Sequence, residues 1–223
     1  MDNPSPARVL EQNWQVLLGD YNEEEQRTRV AWTRRAAVIF MVFVLAGAAM
    51  DLIAYPAKAA EFLRWRAVCA GVLAILLGVS FLPVGPFGIR GIGHAIAASP
   101  AVLVLYMVLL TAGGVSPYYA GLNIIMLGSC LLLRWRVVDG FVHASFCLSG
   151  YWTIAFATNT PVETTATSLA FLTTTAVVCC LGLYFYERLR FRVYRVRWLA
   201  GKTAAEQAAP ETGPQPAPGP EGS

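Results

Sequence analysis

Six long apolar runs constrain this chain more than any other feature of its sequence. Each run approaches the ~20 mostly apolar residues that a helix needs to cross the hydrocarbon core of a bilayer. The runs are 36–55, 67–84, 95–112, 118–133, 137–157 and 166–186. We therefore expect an all-α membrane protein with a six-transmembrane helix bundle, in which the third and fourth spans form a tight hairpin.

The composition agrees with a membrane location. Hydrophobic residues make up 56% of the chain and charged residues only 14%, whereas a soluble domain carries about a quarter charged residues. A soluble core of this size cannot bury so much apolar surface, so lipid is the expected solvent for the excess.

Basic residues predict the orientation of the bundle. Of the 17 lysines and arginines, all but Lys58, Arg64 and Arg66 lie in segments that the six spans would put on one side. Positive residues flanking membrane spans concentrate on the cytoplasmic side. We therefore expect a multi-pass protein of the bacterial inner (plasma) membrane with both termini in the cytoplasm.

Three segments follow from the distribution of polar residues. Residues 1–35 form a cytoplasmic N-terminal segment, predicted as an amphipathic helix, and residues 36–200 form the membrane domain. The helical spacing of the N-terminal segment is carried by Val9, Leu10, Trp14, Leu17 and Leu18. Contact with a membrane face, packing on a neighbouring element and a solvated lead-in helix all remain open interpretations. Residues 201–223 are Ala/Pro/Gly-rich, and we expect a disordered tail.

Two charged residues lie near the predicted outer ends of neighbouring spans. Asp51 is near the end of the first span and Arg66 opens the second. A charge at membrane depth is costly and normally has a partner. An Asp51–Arg66 ion pair is one interpretation, and separate exposure of both groups to interfacial water is the other.

A set of polar and aromatic residues near the same side indicates a ligand site. Tyr119 and Asn123 share one face of the fourth span, and Tyr151 lies toward the outer end of the fifth. With Asp51 and Arg66 they are the candidate ligand-binding residues of a pocket between helices. An aromatic belt with one interhelical hydrogen bond explains the same pattern.

Another polar pair lies toward the predicted inner side. Asp139 and His143 are four residues apart in the fifth span. This spacing places them on one helix face, where a polar pair is one interpretation.

The sixth span continues into a basic segment that nothing breaks before Gly201. An exit helix is therefore expected over about 187–200. Its basic cluster, suited to anionic lipid headgroups, comprises Arg188, Arg190, Arg192, Arg195 and Arg197. An apolar stripe of Leu189, Val193, Val196 and Ala200 predicts a short parallel coiled coil and hence a homodimer. A basic helix end held at the headgroups is the alternative.

No catalytic or cofactor-binding pattern stands out in the sequence. It contains no Gly-rich phosphate loop, no Cys/His spacing typical of a metal site and no Ser/His/Asp cluster. The five cysteines all fall in apolar runs, as small buried hydrophobic residues do. We expect no enzymatic activity, no metal, no other cofactor and no nucleic-acid partner.

Several of these residues resemble a known membrane module. The stretch from Tyr118 to Gly128, YYAGLNIIMLG, is the most specific part, followed by Tyr151 and by Glu187-Arg188-Leu189-Arg190. Over about residues 30–200 the chain is similar to the six-helix module at the amino end of many bacterial sensor histidine kinases and class III adenylate or diguanylate cyclases. The positions of Asp51 and Arg66 also fit this module.

The resemblance implies a membrane anchor and signal receiver whose chemistry resides in a cytoplasmic domain. No kinase or cyclase sequence follows residue 200 here. We therefore expect a sensory or anchoring module that signals through its sixth helix to a cytoplasmic partner. The alternatives are a structural subunit of a larger membrane complex and a small transporter or channel.

Overall fold

The computed structural model describes residues 6–83 and 85–208, with side chains for 13–83 and 85–202. This part of the chain folds into helices joined by short connections and contains no β-strand, which confirms the all-α prediction. The helices are α1 (Pro6–Ala46), α2 (Ala48–Ala54), α3 (Ala59–Val79), α4 (Pro86–Leu110), α5 (Tyr119–Leu132), α6 (Val137–Ala157) and α7 (Val162–Ala208). Short 3-10 helices at Pro56–Lys58 and Gly113–Val115 lie in two of the connections.

Four helical segments of the described chain are long and apolar enough to cross a membrane: Asn13–Ala54, Pro56–Val79, Pro86–Leu110 and Val162–Lys202. They correspond to the predicted first, second, third and sixth spans. The fourth falls on α5, whose 14 residues extend only about 21 Å. The fifth falls on α6, which has 21 residues but carries Asp139 and His143 in its first turns. Six crossings therefore remain a prediction.

Large apolar side chains face outward along the candidate spans. Phe43 on α1 is 50% exposed, Ile75 on α3 is 67% exposed and Val178 on α7 is 55% exposed. A soluble monomer rarely presents such extended apolar faces. Contact with lipid explains them.

The chain divides into two compact units, of which the larger comprises residues 22–188. Within it, α4 contacts α3, α5 and α6. One apolar core joins α1, α3 and α4 around Phe40, Phe62 and Ile96. A second core joins α4 to α5, α6 and α7 around Leu122 and Leu172. The central position of α4 organises both cores.

The smaller unit pairs the start of α1 with the end of α7. Its ring contacts join Trp14 to Phe191 at 6.0 Å between centroids, and join Tyr21 to Phe191 and to Tyr194 at 5.2 Å each. Trp198 Nε1 donates to Asp20 Oδ2 at 3.3 Å. The helix predicted before the first span is therefore present; Leu17 is buried and Trp14 is 40% exposed, whereas Val9 and Leu10 lie outside the described side chains.

Two predicted segment boundaries differ from the structure. α1 has a kink at Asn13, where the dihedral angles are not helical, but it continues past residue 35 to Ala46. Most of the N-terminal segment and the first span therefore belong to one helix. α7 passes Gly201 and ends at Ala208, so residues 201–208 are not the disordered tail that we predicted. A glycine costs a helix only about 1 kcal/mol, and good helix formers follow it. Residues 209–223 lie outside the described residues.

Candidate functional site

The first candidate span is interrupted at Gly47, between α1 and α2. A Cβ atom at this position would overlap the guanidinium group of Arg66. Arg66 Nη1 donates to the main-chain oxygen of Val44 at 2.8 Å, within one turn of the break. The absent side chain at Gly47 thus lets an arginine from α3 approach the backbone of the first span.

Arg66 also forms the predicted ion pair with Asp51. Its Nε donates to Asp51 Oδ2 at 2.6 Å, and its Nη2 donates to Asp51 Oδ1 at 2.8 Å. Asp51 is fully buried and Arg66 is only 7% exposed, so these charges do not reach water separately. A two-bond geometry is the strongest arrangement for an arginine and a carboxylate.

Three aromatic residues surround this pair. The Tyr118 hydroxyl donates to Asp51 Oδ1 at 2.6 Å. Its ring stacks on Tyr55, with 5.5 Å between centroids, and meets the edge of Phe62 at 5.7 Å. We call Asp51, Arg66, Tyr118, Tyr55 and Phe62 the Asp51 cluster. It links α2 and α3 to the residue that precedes α5.

The hydrogen-bonding capacity of the Asp51 carboxylate is largely used within the cluster. Both oxygens accept from Arg66 and one also accepts from Tyr118. A buried ion pair persists only when its geometry and additional hydrogen bonds offset the loss of hydration. The Asp51 cluster therefore holds α2, α3 and the start of α5 together, and we call this set of contacts the clasp.

Tyr151, another predicted ligand residue, is anchored to the loop before α5. Its side chain is fully buried and its hydroxyl donates to the main-chain oxygen of Gly114 at 2.8 Å. Gly113 has a φ of +59°, a region that favours glycine, and a Cβ there would overlap Thr158. The glycines allow this loop to approach the end of α6 closely.

The five predicted ligand residues divide into two groups. Asp51 and Arg66 belong to the Asp51 cluster, while the Tyr119 ring lies 6.0 Å from the Tyr151 ring. Asn123 is partly buried, and its Oδ1 has no hydrogen-bond partner among the described residues. Among these described side chains, no hydrogen bond or ring contact joins the two groups. Ligand binding by the five residues stays a prediction.

The neighbouring residue Tyr118, rather than Tyr119, reaches Asp51. The sequence stretch singled out Tyr118 only as part of a motif, and its contact with Asp51 spans 67 residues of sequence. The sequence suggests that a buried Asp51 needs a polar partner, but it gives no basis for choosing between the adjacent Tyr118 and Tyr119. The rotation of α5 about its axis determines that Tyr118, and not Tyr119, contacts Asp51.

The predicted Asp139–His143 pair is wrong. Asp139 Oδ2 accepts from the main-chain N–H of Arg136 at 3.0 Å, so its side chain turns back toward the start of α6. Its Oδ1 lies 3.4 Å from His94 Nε2 on α4. His143 instead packs against the Trp135 ring, at 5.3 Å, with Nε2 lying 3.8 Å from Cys147 Sγ. Capping of the helix start takes the carboxylate away from its neighbour one turn later.

A second buried ion pair was not foreseen from the sequence. Arg134, between α5 and α6, contacts Glu25 on α1, with 2.8 Å between Nη2 and Oε2. Glu25 is only 8% exposed. Glu25 follows two other glutamates, Glu23 and Glu24, and nothing in the sequence marks its partner because 109 residues separate it from Arg134.

The end of α7 carries the predicted basic cluster and apolar stripe. Arg188, Arg192, Arg195 and Arg197 are exposed, and Arg190 is partly buried. Arg188 lies over the Tyr184 ring at 4.5 Å. Leu189, Val193, Val196 and Ala200 are also exposed. The apolar stripe is thus accessible to solvent in the single chain, as packing against a second helix would require.

Together, the apolar candidate spans, the outward-facing apolar side chains and the buried clasp define a helical membrane-associated protein. A family model, MASE8, matches residues 49–199, which include Asp51, Arg66, α5 and most of α7. The chain belongs to the MASE8 family, and so contains a membrane-associated sensory domain. Searches of the curated proteins and of the solved structures find no significant match.

Proposed function

We propose that the chain is a membrane-embedded sensory or anchoring module that passes a signal through α7 to a cytoplasmic partner, without catalysis of its own. Helix α7 carries this proposal. It is a single helix of 47 residues that contains both a candidate span and the arginine-rich segment. An unbroken helix transmits rotation or translation because its hydrogen-bonded backbone resists bending. Membership of the MASE8 family supports the sensory role.

The arrangement in the membrane is part of the proposal. We assign the fourth and fifth crossings to α5 and α6, in addition to the four candidate spans. An even number of crossings puts both termini on one side, and the arginines indicate that this side is the cytoplasm of a bacterial cell. The short α5 is supported by its hairpin connection to α4, which holds it against a full-length span.

Dimerisation through the end of α7 is the proposed output geometry. Phe191 and Tyr194 contact aromatic residues near the start of α1, whereas Leu189, Val193 and Val196 are exposed. Their spacing suits a parallel two-stranded seam. The proposed occupant of this stripe is the same helix of a second copy.

The proposed ligand acts at the Tyr119–Tyr151 side rather than inside the Asp51 cluster. The buried Asn123 Oδ1, without a hydrogen-bond partner among the described residues, supports a ligand that donates one hydrogen bond. The partly buried Tyr119 supplies aromatic surface suited to a small lipophilic molecule, and the fully buried Tyr151 ring lies behind it at 6.0 Å. The Asp51 cluster then serves as the element that resists or permits helix movement.

Cysteine crosslinking in native membranes tests the output step. Single cysteines would replace Leu189, Val193 or Val196 in a background without the five native cysteines, and Arg192→Cys and Arg195→Cys would serve as controls off the stripe. We expect disulfide-linked dimers at the three stripe positions and few at the controls. We also expect the pattern to change when Asp51→Asn opens the clasp. Equal crosslinking at all positions, or an unchanged pattern, would contradict signal transmission through α7.

A further inference from the structure

A cavity of about 240 Å³ opens at the start of α4 and α6, away from the Asp51 cluster. Its basic lining comes from Arg29 on α1, Arg90 on α4 and Arg136 just before α6. We call it the arginine cavity. Three segments that are distant in sequence thus bring three guanidinium groups to one concave site.

Two carboxylates lie near the arginine cavity, and Glu25 is one of the residues that line it. Glu25 is held by Arg134 at 2.8 Å. Asp139 caps the start of α6 and contacts His94, and its Oδ2 lies 3.7 Å from Arg90 Nη2. The guanidinium groups around the cavity therefore outnumber the carboxylates, and the site keeps an excess of positive charge.

Two of the arginines have buried donors without acceptors. The Nε atoms of Arg29 and Arg90 are buried and make no hydrogen bond to any described residue. Burial lowers the pKa of the Arg29 guanidinium, and the positive charge of the neighbouring Arg90 lowers it further. Buried donors and unneutralised charge both cost stability, and one anion in the cavity would relieve both.

The N-terminus of α4 adds to the positive electrostatic potential of the arginine cavity. Its N-cap residue, Gly85, provides no side-chain cap, and Pro86 and Phe87 line the cavity. A helix N-terminus carries partial positive charge and free N–H groups. Guanidinium groups match the oxygens of a phosphate through paired hydrogen bonds.

We propose that the arginine cavity binds a phosphate group. Arg29 precedes the first span predicted from the sequence, 36–55, so with the predicted orientation the cavity lies at the cytoplasmic surface of the membrane. A phosphate at this place comes either from the headgroup of an anionic lipid or from a free phosphate or phosphorylated solute. The two sources share the same recognition chemistry. The proposal does not depend on signalling through α7.

Two arms of one experiment distinguish the sources, both using the full chain. In the first arm, protein in a zwitterionic detergent is titrated with inorganic phosphate and pyrophosphate, and thermal unfolding is followed by tryptophan fluorescence. In the second arm, nanodiscs of phosphatidylcholine alone are compared with nanodiscs that also contain phosphatidylglycerol, and retained lipids are counted by native mass spectrometry.

Arg29→Gln and Arg27→Gln form the matched pair of variants. Both remove one positive charge from α1, but Arg27 is exposed and pairs with Glu23 at 2.6 Å. We expect Arg29→Gln to weaken binding in the responsive arm about tenfold, which corresponds to ~1.4 kcal/mol, and Arg27→Gln to bind like the unaltered chain. A response only to phosphatidylglycerol identifies a lipid headgroup, and a response only to the soluble anions identifies a free phosphate.

Failure of both arms, or equal loss of binding in the two variants, overturns the proposal. Circular dichroism and gel filtration check that each variant folds. If Arg29→Gln does not fold, Arg136→Gln replaces it, because the Arg136 side chain is exposed and its loss leaves the packing intact. Unaltered binding in a folded Arg29→Gln or Arg136→Gln variant also overturns the proposal.

Discussion

At the scale of single residues, Asp51 holds a charge where water does not reach. Replacing it with Asn leaves Arg66 charged, buried and without its carboxylate. Breaking one side of a buried ion pair costs about 3–5 kcal/mol, so we expect Asp51→Asn to lower the free energy of unfolding by that amount. Denaturation in mild detergent measures it. Glu61→Gln, at an exposed carboxylate on α3, is the control and should change stability by less than ~0.5 kcal/mol; equal losses would argue against the clasp.

Tyr118 and Tyr119 form a natural matched pair at the same scale. Tyr118→Phe removes the hydrogen bond to the Asp51 carboxylate but keeps the stacking on Tyr55. A hydrogen bond to a charged group contributes about 1.5–3 kcal/mol, and we expect a loss of that order in the same denaturation assay. Tyr119→Phe should have little effect. The reverse ranking would mean that Tyr119 carries the contact.

The same residues show what sequence reasoning can and cannot reach in the site. Asp51 and Arg66 were predictable as partners because two charges in adjacent apolar spans, joined by a short connection, have few other ways to be satisfied. The Tyr118 contact depends on the rotation of α5, and the Glu25–Arg134 contact depends on packing between distant segments. Asp139 was misassigned because its competing role as a helix cap is decided by where α6 begins.

At the scale of elements, the break between α1 and α2 is where the arginine enters. Gly47→Ala introduces a Cβ that overlaps the Arg66 guanidinium. We expect it to destabilise the protein by about 1–3 kcal/mol, the usual cost of overpacking, as measured by thermal unfolding in detergent. Gly71→Ala on α3 meets no atom within 4 Å and is the control. Gly71→Ala should be neutral or stabilising by up to about 1 kcal/mol. A Gly47→Ala protein as stable as the unaltered chain would contradict the claim that Gly47 makes room for the Arg66 guanidinium.

The long apolar runs predicted where the membrane-domain helices lie, but they did not predict every helix end. The predicted fifth span, 137–157, coincides with α6, since flanking basic residues and a polar turn mark both ends. α7 extends beyond its predicted end because a single glycine is too weak a stop signal among alanines. The first span merges with its lead-in helix because polarity changes at residue 35 without any helix breaker.

At the scale of the whole molecule, the number of crossings is open to a direct test. Alkaline phosphatase is active only outside the cytoplasm, and we expect it to be active when inserted at 113–117 and inactive when inserted at 134–136 or fused after Ala208. These results follow from α5 crossing the membrane despite its 14 residues. Activity on both sides of α5, or on neither, would reduce the six crossings to four. Expression of each fusion is checked by immunoblotting.

In the smaller unit the start of α1 pairs with the end of α7, a partner that the sequence did not identify. Trp14 and Tyr21 lie in the polar segment before the first predicted span, and Phe191 and Tyr194 lie among the arginines after the sixth. Their rings meet across about 170 residues of sequence, and only tertiary structure reveals such a partner. This leaves the apolar stripe on α7 as the face available for a second copy.

The central claim, signal transmission along α7, is tested most directly by changing the phase of that helix. A diguanylate cyclase catalytic domain joined after Ala208 serves as the reporter, and one to seven alanines are inserted after Arg188. Each inserted residue rotates the downstream helix by about 100°, and seven nearly restore its phase. We expect cyclase output to rise and fall with insertion length and to recover at seven. Output that is independent of insertion length would contradict transmission through α7.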